Sequence, residues 1–399
     1  MTYDVAALRA HFPALAEGTA HFDGPGGSQV PDVVADAVRA TLVSSIANRG
    51  SVTAAERRAE GIVHAARAAM ADLLGADPGG IVFGRSMTQL TYDFSRTLAK
   101  TWRPGENIVV SRLDHDANIR PWVQAATAAG IEVRWADFDP ATGELSASDV
   151  AAVLDERTRL VAVTGASNLI GTRPPVEEIA ALAHEAGALC YLDGVHLTAH
   201  VAIDASPFDL FVCSPYKFLG PHCGVLAGTP ELLTGLRPDK LLPATDAVPE
   251  RFEYGTLPYE LLAGTTAAVD LIASLGAGPD RRARLVAAMT EIERHEDRLR
   301  GRVEAHLAGL PGVISHSRAK NRTPTLLVTF AGLSTADAYR FLADRGVNAP
   351  AGSFYALEAS RRLGLGDTGG LRVGIAPYTD DADIDSLLAG LTDFVGGLG

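Results

Sequence analysis

Seven short apolar runs between residues 81 and 228 constrain this chain more than any other feature: IVF (81–83), NIVVS (107–111), IEVRWA (131–136), RLVAVTG (159–165), ALCYLD (188–193), DLFVCS (209–214) and GVLAG (224–228). Helical patterns near 88–100, 118–129 and 175–186 separate several of them. Strands this apolar on successive residues have no solvent face. They suit a mostly parallel sheet covered by helices on both sides. In such α/β sheets ligands bind beyond the carboxyl ends of the strands, where Ser111, Thr164–Ser167, Asp193 and Ser214 fall.

The pattern changes at GAGP (276–279), a cluster of helix breakers. A long helix near 280–308 follows, then PTLLVTF (324–330), a helix near 334–344, LRVGI (371–375) and a last helix near 381–396. The expected organisation is a large α/β domain over 15–275 and a smaller α+β domain over 276–399, with the N-terminal helix within 1–14 packed on the latter.

Composition removes several function classes. The net charge is −13, and the densest basic stretch, Arg281 to Arg302, is interleaved with Glu291, Glu293, Glu296 and Asp297. That is a solvated helix face, not a nucleic-acid footprint. No stretch reaches the ~18 apolar residues of a membrane span, and the amphipathic start lacks the apolar core of a signal peptide. A soluble, cytoplasmic protein is expected. The three cysteines, Cys190, Cys213 and Cys223, form no CxxC pair, which argues against a disulfide framework or a zinc site. His196 and His200 have i, i+4 spacing but no third ligand beside them, so no metal is expected.

Only four lysines occur: Lys100, Lys217, Lys240 and Lys320. Lys217 lies between two strand-like runs, flanked by Tyr216 and Phe218. Desolvation there favours the neutral amine, and a neutral amine can form a Schiff base with an aldehyde cofactor. Asp193 ends an apolar strand, where a carboxylate needs a partner; a protonated pyridine nitrogen would be one. The 24-residue spacing leaves room for one crossover and one strand, placing both residues at adjacent strand ends. His115 follows the NIVVS strand, where a neutral imidazole can stack on a pyridine face. Ser86, Met87 and Thr88 open a helix, which makes a phosphate site. Each feature alone also fits a surface lysine, an N-cap or a structural ion pair.

Taken in order, GRSMTQ, DHDAN, SNLIG, YLDGVH and SPYKFLGP resemble the class V aminotransferase and cysteine desulfurase family of fold-type I enzymes, which depend on pyridoxal 5'-phosphate (PLP). The resemblance runs from FDGPGGSQVP (22–31) to the C-terminus. It implies a fold-type I PLP-dependent large domain in which Lys217 forms the Schiff base, Asp193 pairs with the pyridine nitrogen and His115 stacks on the ring. Asn168 and His196 would bond the phenolic oxygen or nearby substrate atoms. Ser86, Met87, Thr88 and Ser214 would hold the phosphate, helped by Gly255 and Thr256 from the other subunit of a homodimer with shared active sites. Arg372 would bind the carboxylate of an amino-acid substrate, with Arg49 as the next candidate and Tyr355 nearby. Two departures stand out. Tyr216 replaces the usual histidine before the lysine. The stretch VNAPAGSFYALE (347–358), where desulfurases carry a nucleophilic cysteine, has none, and Tyr355 takes that place. The expected reaction is therefore β-elimination of the C–S lyase kind. Epimerisation of the isopenicillin-epimerase type and transamination are the enzymatic alternatives, and a non-catalytic PLP-binding regulator or scaffold is the remaining one.

Overall fold

The computed structural model describes residues 3–397. Residues 1, 2, 398 and 399, the outer ends of the expected terminal segments, lie outside the described residues. The strands in chain order are β1 (Ala20–His21), β2 (Ile81–Gly84), β3 (Asn107–Ser111), β4 (Glu132–Ala136), β5 (Thr158–Thr164), β6 (Leu189–Asp193), β7 (Leu210–Cys213), β8 (Gly224–Gly228), β9 (Val313–Ser315), β10 (Thr325–Phe330), β11 (Val347–Asn348), β12 (Ala351–Gly352) and β13 (Gly370–Gly374).

All seven apolar runs join one sheet, ordered β2-β8-β7-β6-β5-β3-β4. Alternate side chains enter different cores, as a two-residue period requires. Val161 and Val163 of β5 pack with the helices Ala54–Leu74 and Val176–Glu185. Leu160 and Ala162 pack with Met87–Ala99 and Arg120–Ala129 on the other face. The five strands β4, β3, β5, β6 and β7 are parallel, whereas β8 runs antiparallel to both β7 and β2. A parallel return needs a crossover of a dozen or more residues. The segment from Ser214 to Cys223 is too short for one, so β8 turns straight back, and this reversal carries Lys217. Chain order reverses around β3, whose neighbours are β4 and β5. Such a switch point opens a crevice at the carboxyl ends.

The apolar-run reading singles out neither Asp32–Leu42, Ala54–Leu74 nor Tyr259–Ser274, three helices that pack together over one sheet face. Ala54–Leu74 is alanine-rich and weakly patterned; its start is fixed by a capping box between Thr53 and Glu56. A second sheet, β12-β13-β10-β9, forms its own core with Leu299, Val303 and Leu307 of the helix Arg281–Gly309. The first helix is only Val5–Arg9. It docks at the start of the last helix, where Arg9 meets Asp380 at 3.0 Å and Asp383 at 2.6 Å. Among the described residues no helix is long and apolar enough to cross a membrane.

Candidate active site

A cavity of about 620 Å³ opens where the carboxyl ends of the large sheet face the second sheet, and Lys217, His115, Asn168, Arg372, Thr88 and Tyr355 line it. Behind it a smaller chamber of about 50 Å³ is shared by Lys217, Asp193, His196, Met87, Thr88 and Asn168.

The register explains why these side chains meet. β6 pairs with β7 so that Asp193 lies opposite Val212, and Lys217 follows five residues later on the reversal. Asp193 is 3% exposed; its Oδ1 accepts the Val195 amide at 2.9 Å, and burial pushes its carboxyl up to about 6. The Lys217 ammonium is desolvated and faces Arg372, which together pull it down to about 7, while Asp193 opposes the fall. Its Nζ donates to the Pro25 carbonyl, which brings the FDGPGG loop into the site.

His115 follows β3 and caps a short turn, its Nδ1 accepting the Ala117 amide at 3.0 Å. The remaining proton of the neutral ring is therefore on Nε2. Burial first, then Lys217 and Arg372, lower its pKa to about 4. Just before it, Asp114 is fully buried, accepts from Ser111 and Asn118, and is pushed up to about 8 by burial.

Arg372 on β13 is 2% exposed. It donates to the Asn168 carbonyl at 3.0 Å, and its guanidinium lies 3.6 Å from the Phe354 ring centroid. Its Nε has no partner, and among the described residues it makes no ion pair in direct contact. Burial draws it down to about 9, with the nearby Asp23 carboxylate opposing the fall. A buried cation with no carboxylate in contact is costly, so the cavity can take an anion.

Other buried polar atoms are also left open. Ser214 Oγ at the end of β7 and Asn168 Oδ1 have no partner. Asn168 Nδ2 donates to the Phe354 carbonyl at 2.9 Å. Ser86 caps the helix Met87–Ala99 by accepting the Gln89 amide at 3.1 Å, leaving the first-turn N–H groups for another acceptor. Gly224 allows β8 to press on that helix start, since a Cβ there would lie 2.2 Å from the Ser86 carbonyl carbon. An open hydroxyl, a helix N-terminus, a desolvated lysine and a strand-end carboxylate fit a phosphorylated pyridine aldehyde.

Three expected residues stand apart from this group. Arg49 is engaged elsewhere, 2.8 Å from Glu60 and 3.1 Å from Glu250, so within this chain it is not a second carboxylate arginine. Gly255 and Thr256 are exposed and do not line their own chain's cavity. Tyr355 does line it: 76% exposed, it stacks on His115 with ring centroids 5.5 Å apart. Sequence reasoning assigned no role to Pro25, Asp114 or Phe354. All three lie inside the quoted stretches FDGPGGSQVP, DHDAN and VNAPAGSFYALE. What the letters do not show at Phe354 is the backbone turn that seats it, with φ 51° at Phe354 and 58° at Tyr355.

Comparison with known proteins gives the family and the fold. The family profile for aminotransferase class-V matches residues 20–387. An uncharacterised protein of Mycobacterium tuberculosis is 32% identical, the alignment covering 98% of this chain and 99% of that one. A cysteine desulfurase of Dickeya dadantii is 31% identical over 98% of this chain and 96% of its own. Among solved structures, the cysteine desulfurase CsdA of Escherichia coli superposes with a TM-score of 0.87 at 27% identity, covering 100% of both chains. The fold is that of the fold-type I enzymes.

Proposed function

The chain belongs to the aminotransferase class-V family of PLP-dependent enzymes, and from that premise we propose that it catalyses β-elimination on a cysteine-like amino acid. The observation that carries the substrate class is Arg372, a buried guanidinium with no carboxylate partner at the mouth of the Lys217 chamber. Its planar fork suits the α-carboxylate of an amino acid.

PLP would be held by Lys217, Asp193, Ser214 and the start of the helix Met87–Ala99, and when bound it supplies an electron sink for charge developing at the substrate Cα. The chain's own groups do the rest. Lys217 Nζ, its pKa drawn down to about 7, takes the Cα proton in its neutral form. Asp193 would keep the pyridine nitrogen protonated. His115, neutral with its proton on Nε2, would help to hold the ring without adding charge. Asn168 and Arg372, tied to each other and to Phe354, orient the carboxylate. Gly255 and Thr256, exposed in one chain, fit the reading in which a homodimer's partner completes the phosphate site.

Elimination is favoured over sulfur transfer to the protein because the cysteines are badly suited to it. Cys190, Cys213 and Cys223 are all buried. Burial raises each thiol above its ordinary value, Cys223 to about 11, whereas a persulfide-forming cysteine needs an accessible thiolate.

The test is to load the protein with PLP, confirm the Lys217 linkage by reduction and peptide mapping, and supply L-cysteine. Pyruvate with sulfide supports elimination. Alanine with persulfide on a protein cysteine would overturn it in favour of desulfuration. Exchange of the Cα hydrogen with solvent deuterium, without either product, would instead favour epimerisation.

A further inference from the structure

A buried series of titratable groups runs from the small chamber into the second core, and the reaction proposed above does not use its far end. His196 lines the chamber beside Lys217 and Asp193. Its Nε2 lies 3.1 Å from Thr323 Oγ1 and 2.9 Å from Thr325 Oγ1, which commits that nitrogen to the β10 side. The ring meets His200 edge-on, with centroids 4.8 Å apart and planes at 74°. His200 Nδ1 lies 2.9 Å from Oε2 of Glu296, on the helix Arg281–Gly309. His196, His200 and Glu296 are 4%, 4% and 0% exposed, and Glu296 Oε1 has no partner.

The surroundings leave this contact isolated. His196 feels Lys217 and Arg372 from the chamber side. Glu296 is near Tyr3 and Tyr378, whose hydroxyls are engaged with the Pro377 carbonyl and the Gln29 amide. On its own helix, Glu293 is held by Arg173 at 2.6 Å and Asp297 by Arg300 at 3.1 Å, while His295 faces the Thr379 carbonyl. Among the described residues, His200 is the group paired with the Glu296 carboxylate. An acid placed for packing alone would be an expensive choice here, since a buried charge is tolerated only when paired.

We propose that His200 and Glu296 share one proton across their contact and act as positioning residues that hold His196 neutral and fixed beside the cofactor. With the proton on the acid, Glu296 Oε2 donates to His200 Nδ1; with it on the imidazole, Nδ1 donates to Oε2. The pair gains or loses that single proton to solvent, and no other bond changes. Burial pushes the Glu296 carboxyl up to about 7, so the pair changes charge near neutrality, while burial and His200 keep His196 well below its ordinary value. The inference rests on the reading that His196 faces PLP, but the pair itself can be tested without it.

The experiment is a titration of the histidine ring 15N and 1H shifts in cofactor-free protein from about pH 5 to 9. The expected result is His200 ring shifts that follow the ionisation of Glu296, with His196 unprotonated throughout. In Glu296→Gln, which keeps volume and a hydrogen bond but cannot ionise, the pH dependence of the His200 ring shifts should change. In the PLP-loaded protein the same variant should change the pH dependence of the cofactor's absorbance. Wild-type His200 shifts that stay flat, or that move identically in Glu296→Gln, would overturn the proposal. Protonation of His196 at an ordinary pKa would do the same. Should Glu296→Gln fail to fold, the wild-type titration still decides. Failure of PLP to bind would sink the functional reading and leave this one standing.

Discussion

Two arginines are equally deep in this protein and are treated in opposite ways. Arg67, 4% exposed, is fully satisfied: Nη1 donates to Glu253 at 2.8 Å and to the Ile81 carbonyl at 2.7 Å, and Nη2 donates to Glu250 and Glu253 at 3.1 and 2.9 Å. Glu250 is shared with Arg49, so charges from three segments close on one another. Arg372, 2% exposed, has one backbone acceptor, an aromatic ring beneath it and an unused Nε. A buried charge that is fully paired within its own chain holds elements together. One left unpaired at a cavity is waiting for something that the chain does not contain. The same contrast explains Arg49, which belongs to the closed network and not to the open site.

If this comparison is right, substitutions in the open site remove activity and spare stability, and those in the closed network do the reverse. The largest effect is expected from Lys217→Ala. Turnover should fall by several orders of magnitude with thermal unfolding nearly unchanged, as followed by product assay and calorimetry. Near-normal turnover would show that the desolvated amine has no chemical role. Asp193→Asn follows, since an amide cannot hold a proton on the ring nitrogen; each unit of lost ring pKa is about 1.4 kcal/mol of differential stabilisation. Steady-state kinetics beside circular dichroism would separate lost chemistry from lost fold.

Arg372→Ala should raise KM sharply, and Arg372→Lys should rescue it poorly because an ammonium lacks the fork. Neither should destabilise the protein much, because Arg372 makes no direct ion pair and its side chain holds one backbone carbonyl. Wild-type KM in both would mean the substrate has no carboxylate at this point. In the closed network, Glu253→Gln removes the carboxylate that Arg67 bonds twice and leaves it Glu250 alone, and should cost about 1.5–3 kcal/mol of stability with kcat unchanged. Chemical denaturation measures the first and the product assay the second. Equal losses from Glu253→Gln and Arg372→Ala would erase the distinction.

The effect that leaves chemistry untouched is a pH slope in the cofactor-free protein. The Lys217 amine binds its proton with a pKa of about 7 when folded and 10.5 in its ordinary state. Between those values the unfolded chain holds the extra proton, so stability rises with pH across that window and is lost as pH falls towards 7. Lys217→Met should flatten this slope in unfolding curves taken between about pH 7 and 10; an unchanged slope would assign it to other groups.

Much of this was legible from residues alone. The seven apolar runs predict seven strands of one sheet because unbroken apolarity over a short run has one economical solution, burial on both faces. The spacing of Asp193 and Lys217 predicts adjacent strand ends because a crossover and a strand consume a known length of chain. The helices Ala54–Leu74 and Tyr259–Ser274 were harder to see. They are buried on so many sides that an amphipathic period is weak, and their identity as helices rests on packing against each other.

The sequence by itself determined the chemistry on offer: a scarce lysine between aromatic neighbours, a strand-end aspartate, a histidine after a strand and an arginine in LRVGIAPY. Local propensity and spacing, properties of neighbours along the chain, put forward the lysine, the aspartate and the histidine, and the family resemblance put forward the arginine. Only the tertiary structure decided which charges are spent and which are free. Arg49 and Arg372 look alike as letters, yet one meets Glu60 and Glu250 and the other meets none. The pairing of Glu296 with His200, 96 residues away, and the αL turn that seats Phe354 under Arg372 were decided there too. The physical reason is that desolvation and Coulomb energy depend on distance in space and on what excludes water, and neither quantity is written in residue order.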